Sequence, residues 1–251
     1  MRQICGDLKL VVSRFLTIET LLLFLPYTRQ LHAQSASPMP SAQQNATGQQ
    51  SDAKSLSPDK NWKYDCPESI EYECSPELVK VGSDEVAVDL DSDLDVYGKY
   101  SKRSNIVWAP DSKRFAFNFP QPAAHAFYET LAVYELHGDK WKMLESLAKA
   151  NSISKAISKA INGVLAVERT KKHMKAKASA ATEIVAKAHE WTDPNTILVY
   201  AYEEDGEETG KTVRADFLFT LTVDAAGKLK IVKTQQLSET ESQKYERDPQ
   251  S

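Results

Sequence analysis

The sequence predicts an α+β fold: an antiparallel meander sheet of about seven or eight strands, with a long helical insertion packed on one face. Three observations carry this reading. Period-two runs of apolar residues, closed by turn signals, occupy residues 85–144 and 196–236. Between them lies an Ala- and Lys-rich stretch, 149–190, whose isoleucines recur at steps of three and four, as in an amphipathic helix. Connections between successive strands are short, which favours antiparallel neighbours.

The first 60 residues are excluded from that fold. Residues 1–33 run from Arg2, Lys9 and Arg14 through Leu21-Leu22-Leu23-Phe24-Leu25 to Pro26 and the small Ala33. Basic, apolar, helix-breaking and small in that order is a secretory signal peptide, cleaved after Ala33. Its apolar run falls well short of the ~20 residues that cross a bilayer as a helix, so the mature chain is expected to have no transmembrane helix. Residues 34–60 are Ser/Gln/Ala/Pro-rich with almost no large apolar side chains, the composition of a disordered linker. Residues 61–240 then form a single domain, and 241–251 a flexible charged tail. Once residues 1–33 are removed, 27 basic side chains face 33 acidic ones, which argues against nucleic acid as a partner. The same cleavage leaves two cysteines, Cys66 and Cys74. An even count in an exported chain reads as a disulfide, here closing the loop CPESIEYEC.

In EVAVDLDSDLDVY, 85–97, Val86, Val88, Leu90, Leu94 and Val96 share one face of a strand or of two short ones. Asp89, Asp91, Asp93 and Asp95 line the other face and are the metal candidate. Side chains two apart on a strand diverge by ~7 Å. An EF-hand loop would need Gly where Leu94 or Val96 stands. A solvated acidic face that deters strand pairing is therefore the preferred reading, and no metal or other cofactor is predicted.

Residues 106–119, IVWAPDSKRFAFNF, form a hairpin turning at Pro110-Asp111-Ser112, with Phe115, Phe117 and Phe119 on one face. Trp108, Pro110, Asp111, Lys113, Phe115 and Phe117 resemble the Trp-Ser-Pro-Asp-Gly-Lys turn of β-propeller blades, from which Ala109 and Ser112 depart. A propeller repeats its blade about four times or more. No second such turn occurs, and the helical stretch falls where the next blade is due, so a closed propeller is rejected. The chain is also similar to small exported bacterial proteins of unknown function that pair such a hairpin with a Phe-Leu-Phe-Thr-Leu strand, here Phe217 to Leu221, and a Lys-rich ending, Lys228 to Lys233. That resemblance implies export and carries no assigned activity.

The strand at 127–136 turns at His137-Gly138-Asp139 and returns through 140–144. Ile153, Ile157, Ile161, Val164 and Leu165 mark the helical stripe. Gly163 and Lys171-Lys172-His173 interrupt it, giving one bent helix or two in sequence. Strands resume at 196–203, 212–224 and 228–236, with EEDGEE at 203–208 as a loop. In the middle strand Val213, Ala215, Phe217, Phe219, Leu221 and Val223 share a face.

Phosphate-cradling Gly loops, paired zinc histidines and a Gly-x-Ser-x-Gly elbow are all missing. Charge is segregated instead: residues 65–95 hold eleven acidic and one basic side chain, residues 149–190 nine basic and three acidic. Either the helix docks on the acidic strands, or Lys171, Lys172, Lys175 and Lys177 face an anionic partner. Those lysines and the Trp108 hairpin are the candidate binding surface. The primary reading is a periplasmic or secreted, non-enzymatic binding protein whose envelope or extracellular partner is unknown. One alternative is a hydrolase of wall or extracellular polymers, pairing Asp89 or Asp91 with Glu203 or Asp216. Another is an assembly module that pairs through edge strands. The mass of the exported protein is expected to correspond to cleavage after Ala33 and to the loss of two hydrogen atoms at Cys66 and Cys74; a longer chain or a free dithiol would contradict this.

Overall fold

Strand β5 (Arg114–Pro122) is buried along most of both faces, and the other elements are layered around it. The computed structural model describes residues 55–246 except 69–72, 84, 95, 123–126, 176–183 and 208–209. The expected signal peptide and the linker up to residue 54 lie outside the described residues. Those described all belong to one unit, Asn45–Ser251.

Together with β4 (Asn105–Trp108), β6 (Phe127–His137) and β7 (Lys140–Ser146), β5 makes a four-stranded antiparallel sheet of order β4-β5-β6-β7. Its alternation decides what packs where. Phe115, Phe117 and Phe119 join Ala132 and Tyr134 in one core, completed by Trp62, Leu78, Val88, Leu90, Leu94 and Val96 from the amino-terminal part. Full burial of each phenylalanine contributes about 1.5–3 kcal/mol. The opposite face carries the small Ala116 and, from β6, Leu131 and Val133, which enter a second core. That core is built with the long helix α2 (Ser152–Lys171) and a carboxy-terminal sheet of order β11-β10-β9-β8. Its strands are β8 (Val185–Asp193), β9 (Thr196–Gly206), β10 (Thr212–Val223) and β11 (Leu229–Gln236).

The fold is α+β and antiparallel, but the single meander is not formed. The described strands make three sheets, the third being β1 (Trp62–Asp65), β2 (Glu77–Lys80) and β3 (Glu85–Asp89). Strands β1 and β2 have four residues each, too few for a visible period. Strand β8 hides in the stretch expected to be helical because its inward residues are Ala186 and Ala188, small and poor strand formers. The helix itself is continuous. Asn151 caps it in a reciprocal box with Ser154, and Ile153, Ile157, Ile161 and Leu165 are its buried stripe. Gly163 stays within the helix, which ends where His173 turns to φ 52°. Glu203 to Gly206, expected as loop, extend β9. Much of the expected charged tail belongs to a helix, α3 (Glu239–Glu246). In the hairpin turn, Ser112 stands where the blade motif has Gly and adopts φ 59°.

The acidic ladder at 89–95 also dissolves. Strand β3 stops at Asp89, whose Oδ1 accepts the Ser92 N–H at 3.0 Å and starts the single-turn helix α1 (Leu90–Leu94). Asp91 and Asp93 lie in that helix, and Asp95 is outside the described residues. Among the described residues no group of three or more His, Cys, Asp or Glu is placed to hold a metal. Cys66 and Cys74 are bridged, with Cα atoms 5.2 Å apart, just beyond the β1–β2 pairing. The Cys74 N–H donates to Ser101 Oγ at 3.0 Å, tying the bridged loop to the 3-10 helix Gly98–Arg103.

Carboxylates instead meet across strands, where Glu77 pairs in register with Asp65 on one side and Asp89 on the other. Partial burial, and then the charges of Asp89 and Asp65, hold the Glu77 carboxyl above its usual range. A raised carboxyl pKa disfavours the ionised form in the folded chain. It therefore withdraws stability above the folded pKa and ceases to do so as the pH falls below it. Glu77→Gln is expected to stabilise the protein at pH 7 by ~0.2–1 kcal/mol. Thermal denaturation should show the gain closing as the pH drops through the carboxylate range; a variant less stable than its parent at pH 7 would contradict the assignment.

Candidate ligand-binding cleft

At the seam between the central and carboxy-terminal sheets, β4 and β8 border a cleft of about 340 Å³, within the range of small-molecule sites. Its base is a buried clasp. The Asn118 Nδ2 donates to the Ala188 carbonyl at 2.9 Å, and Asn118 Oδ1 accepts the Ala188 N–H at 2.8 Å. One side-chain amide thereby pairs with the outer backbone edge of β8 as a neighbouring strand would. The clasp is reinforced where Trp191 Nε1 donates to the Val107 carbonyl at 3.0 Å and Arg114 donates to the Pro194 carbonyl at 2.9 Å.

Strand β8 is irregular at this point. Ala188 is opposite Val199 and Glu190 opposite Leu198, so His189 is an extra, bulged residue. Bulges re-aim side chains, and His189 lies in the cleft wall with its ring edge-on to Tyr245 at 4.9 Å. Lys102 and Arg103, from the 3-10 helix, and Asn105, from β4, form the facing wall. Lys187 lines the cleft in an ion pair with Glu129. Among the described residues Lys102 and Arg103 form no ion pair with a carboxylate; the Arg103 guanidinium lies over the Phe127 ring at 4.9 Å.

Behind Tyr200 stands a polar network on the outer face of the carboxy-terminal sheet. The Tyr200 hydroxyl donates to Asp216 Oδ1, Arg214 Nε reaches both Asp216 oxygens at 3.0 and 3.1 Å, and Arg214 Nη2 donates to the Tyr200 oxygen and to Glu246. The guanidinium also lies 4.2 Å from the Tyr202 ring centre. Burial, then the Asp216 contact, push the Tyr200 hydroxyl above its usual range. Burial works against the Arg214 charge, but the Asp216 carboxylate outweighs it and raises that group too.

No known family model matches the chain, and no curated protein does. The cleft has to be read on its own chemistry.

The residues singled out from the sequence are dispersed. Lys171 pairs with Glu168, Lys172 Nζ donates to the Thr212 carbonyl, the Lys175 N–H donates to Glu207, and Lys177 is outside the described residues. Helix α2 docks on β9, β10 and β11 and not on the acidic amino-terminal strands; Arg169 meets Asp205 at 2.6 Å. Trp108 is half-buried, edge-on to Phe115 and Trp141 with ring centres 5.3 and 5.9 Å apart. The carboxylates of the hydrolase alternative do not converge. Asp216 belongs to the outer network, whereas Glu203 is buried and shares the opposite face of the sheet with Val199 and Ala201. Asp89 and Asp91 belong to the amino-terminal layer, beyond the central sheet.

Lys102, Arg103, Asn118, His189, Tyr200 and Arg214 were not singled out from the sequence. Only Asn118 left a trace there, as a polar residue in the otherwise apolar run FAFNF. Asn118→Leu would strand two buried backbone groups of Ala188, each worth about 1–3 kcal/mol, so the variant is expected to lose about 2–6 kcal/mol in urea denaturation. A near-neutral result would show that the clasp does not hold the sheets.

Proposed function

We propose that this chain is an exported, non-enzymatic binding protein that takes an anionic ligand in the cleft between β4 and β8. The observation that carries the reading is the Lys102–Arg103 pair, whose side-chain cations form no ion pair among the described residues although the Lys102 N–H meets Glu73, and which borders a hollow lined also by Asn105, the paired Lys187 and Glu129, and Glu246. Cations left without counter-charge beside a concave polar site recruit anions. Export is supported by the Cys66–Cys74 bridge, a feature of oxidising compartments. No helix among the described residues is long and apolar enough to cross a membrane.

Binding is favoured over acid–base chemistry because the strongly shifted groups, Tyr200 in the cleft wall and Arg214 behind it, move away from neutral pH. Edge pairing is less favoured. Strand β11 has one paired edge only, and it carries a bulge at Val232 with Lys230 and Lys233 beside it, features that discourage a partner strand.

Calorimetric titration of the full chain with inorganic phosphate, citrate and an oligouronate tests the proposal. At least one probe should bind saturably, with affinity falling about tenfold or more in Lys102→Ala and Arg103→Ala, the loss expected for a charged contact. Lys171→Glu and Lys175→Glu should leave binding unchanged. Absence of saturable binding to every probe, or loss confined to the helix variants, would overturn the assignment.

A further inference from the structure

Strand β8 brings two residues to the cleft. Ala186 and Ala188 are buried, while Lys187 and His189, at the alternate positions, both line the hollow. Both backbone groups of Ala188 are held by Asn118, so the residue after it is carried on a fixed strand edge. Lys187 is neutralised by Glu129. The His189 imidazole packs edge-on against Tyr245, and among the described residues no hydrogen bond or ion pair engages its ring nitrogens. Histidine is also the one residue type in the lining that ordinarily changes charge between about pH 5 and 8.

The other charged and titratable groups of the cleft come from every wall: Lys102 and Arg103 from the 3-10 helix, Glu129 from β6, Lys187 from β8, Tyr200 from β9, and Tyr245 and Glu246 from α3. Glu129 is taken by Lys187 and Glu246 by Arg214, and burial keeps the Tyr200 hydroxyl protonated. The surplus charge is the Lys102–Arg103 pair. An anion seated beside that pair favours the imidazolium form of His189, and by linkage the imidazolium favours the anion by the same factor.

We propose that anion binding in this cleft is proton-linked through His189, whose imidazolium adds a third cationic contact to Lys102 and Arg103. The ligand is then held in mildly acidic surroundings and released as the pH rises past neutrality. The inference rests on the anionic reading of the cleft.

The test is calorimetric titration of the full chain with sulfate and with an oligouronate, neither of which takes up protons in the range where imidazoles do. At least one of the two should bind about three- to tenfold more tightly at about pH 5.5 than at about pH 8, the worth of one added charge at a solvent-accessible site. Near neutral pH, binding should draw a fraction of a proton from the buffer, read as an enthalpy that varies with the buffer's own ionisation enthalpy. His189→Gln should bind equally at both pH values, and His137→Gln, outside the lining, should keep the parent's dependence. Proton NMR of the parent needs no variant to fold: sulfate or the oligouronate should raise the midpoint at which the His189 ring signal titrates. If binding is saturable but equal at both pH values, or if its pH dependence survives His189→Gln, the linkage is wrong and the cleft reading stands. If neither anion binds at either pH, the linkage falls, and the cleft reading falls with it should phosphate and citrate fail too.

Discussion

One side-chain amide joins two sheets that share no strand. Asn118 projects from the small-residue face of β5 and meets both backbone groups of Ala188, so the outer edge of β8 is closed by an amide in place of another strand. The constraint is strict. A buried backbone edge must be satisfied, and any apolar residue at 118 would leave two polar groups dry. Pleating at β5 follows from the same requirement: phenylalanines turn toward the amino-terminal layer, leaving Arg114, Ala116 and Asn118 toward the clasp. Beside the contact at Asn118, Lys102, Arg103, Lys187 and His189 line the cleft.

What could be read from the sequence follows the strength of local signals. Strand β10, with six apolar residues in strict alternation, and helix α2, with its isoleucine stripe, lie where their periods place them. Strand β8 falls in the stretch whose composition predicts helix because its alanines give alternation without apolar weight. The Asp89–Asp95 run misled for another reason: Asp89 caps a helix, and capping changes the period from 2 to 3.6 within one residue. The number of sheets was beyond local reading, since it depends on which strand edges remain unpaired.

The cleft was harder still to foresee. Its lining comes from the 3-10 helix, β4, β5, β6, β8, β9 and α3, so no window of sequence contains its pattern. The clustered lysines are largely engaged near the helix end, while the two that border the cleft, Lys102 and Lys187, are 85 positions apart in the chain. Charge density along the chain is a poor guide to charge in space once a helix packs against acidic strand ends, as Arg169 does with Asp205.

The Cys66–Cys74 bridge lies outside the cleft lining but is mechanically continuous with it. The Cys74 N–H ends on Ser101 Oγ, which in turn donates to the Gly98 carbonyl, and the next two residues of that turn are Lys102 and Arg103. Oxidation of one cysteine pair thus braces the cationic rim of a hollow built by other elements. The covalent history of the chain is written into the geometry of its mouth.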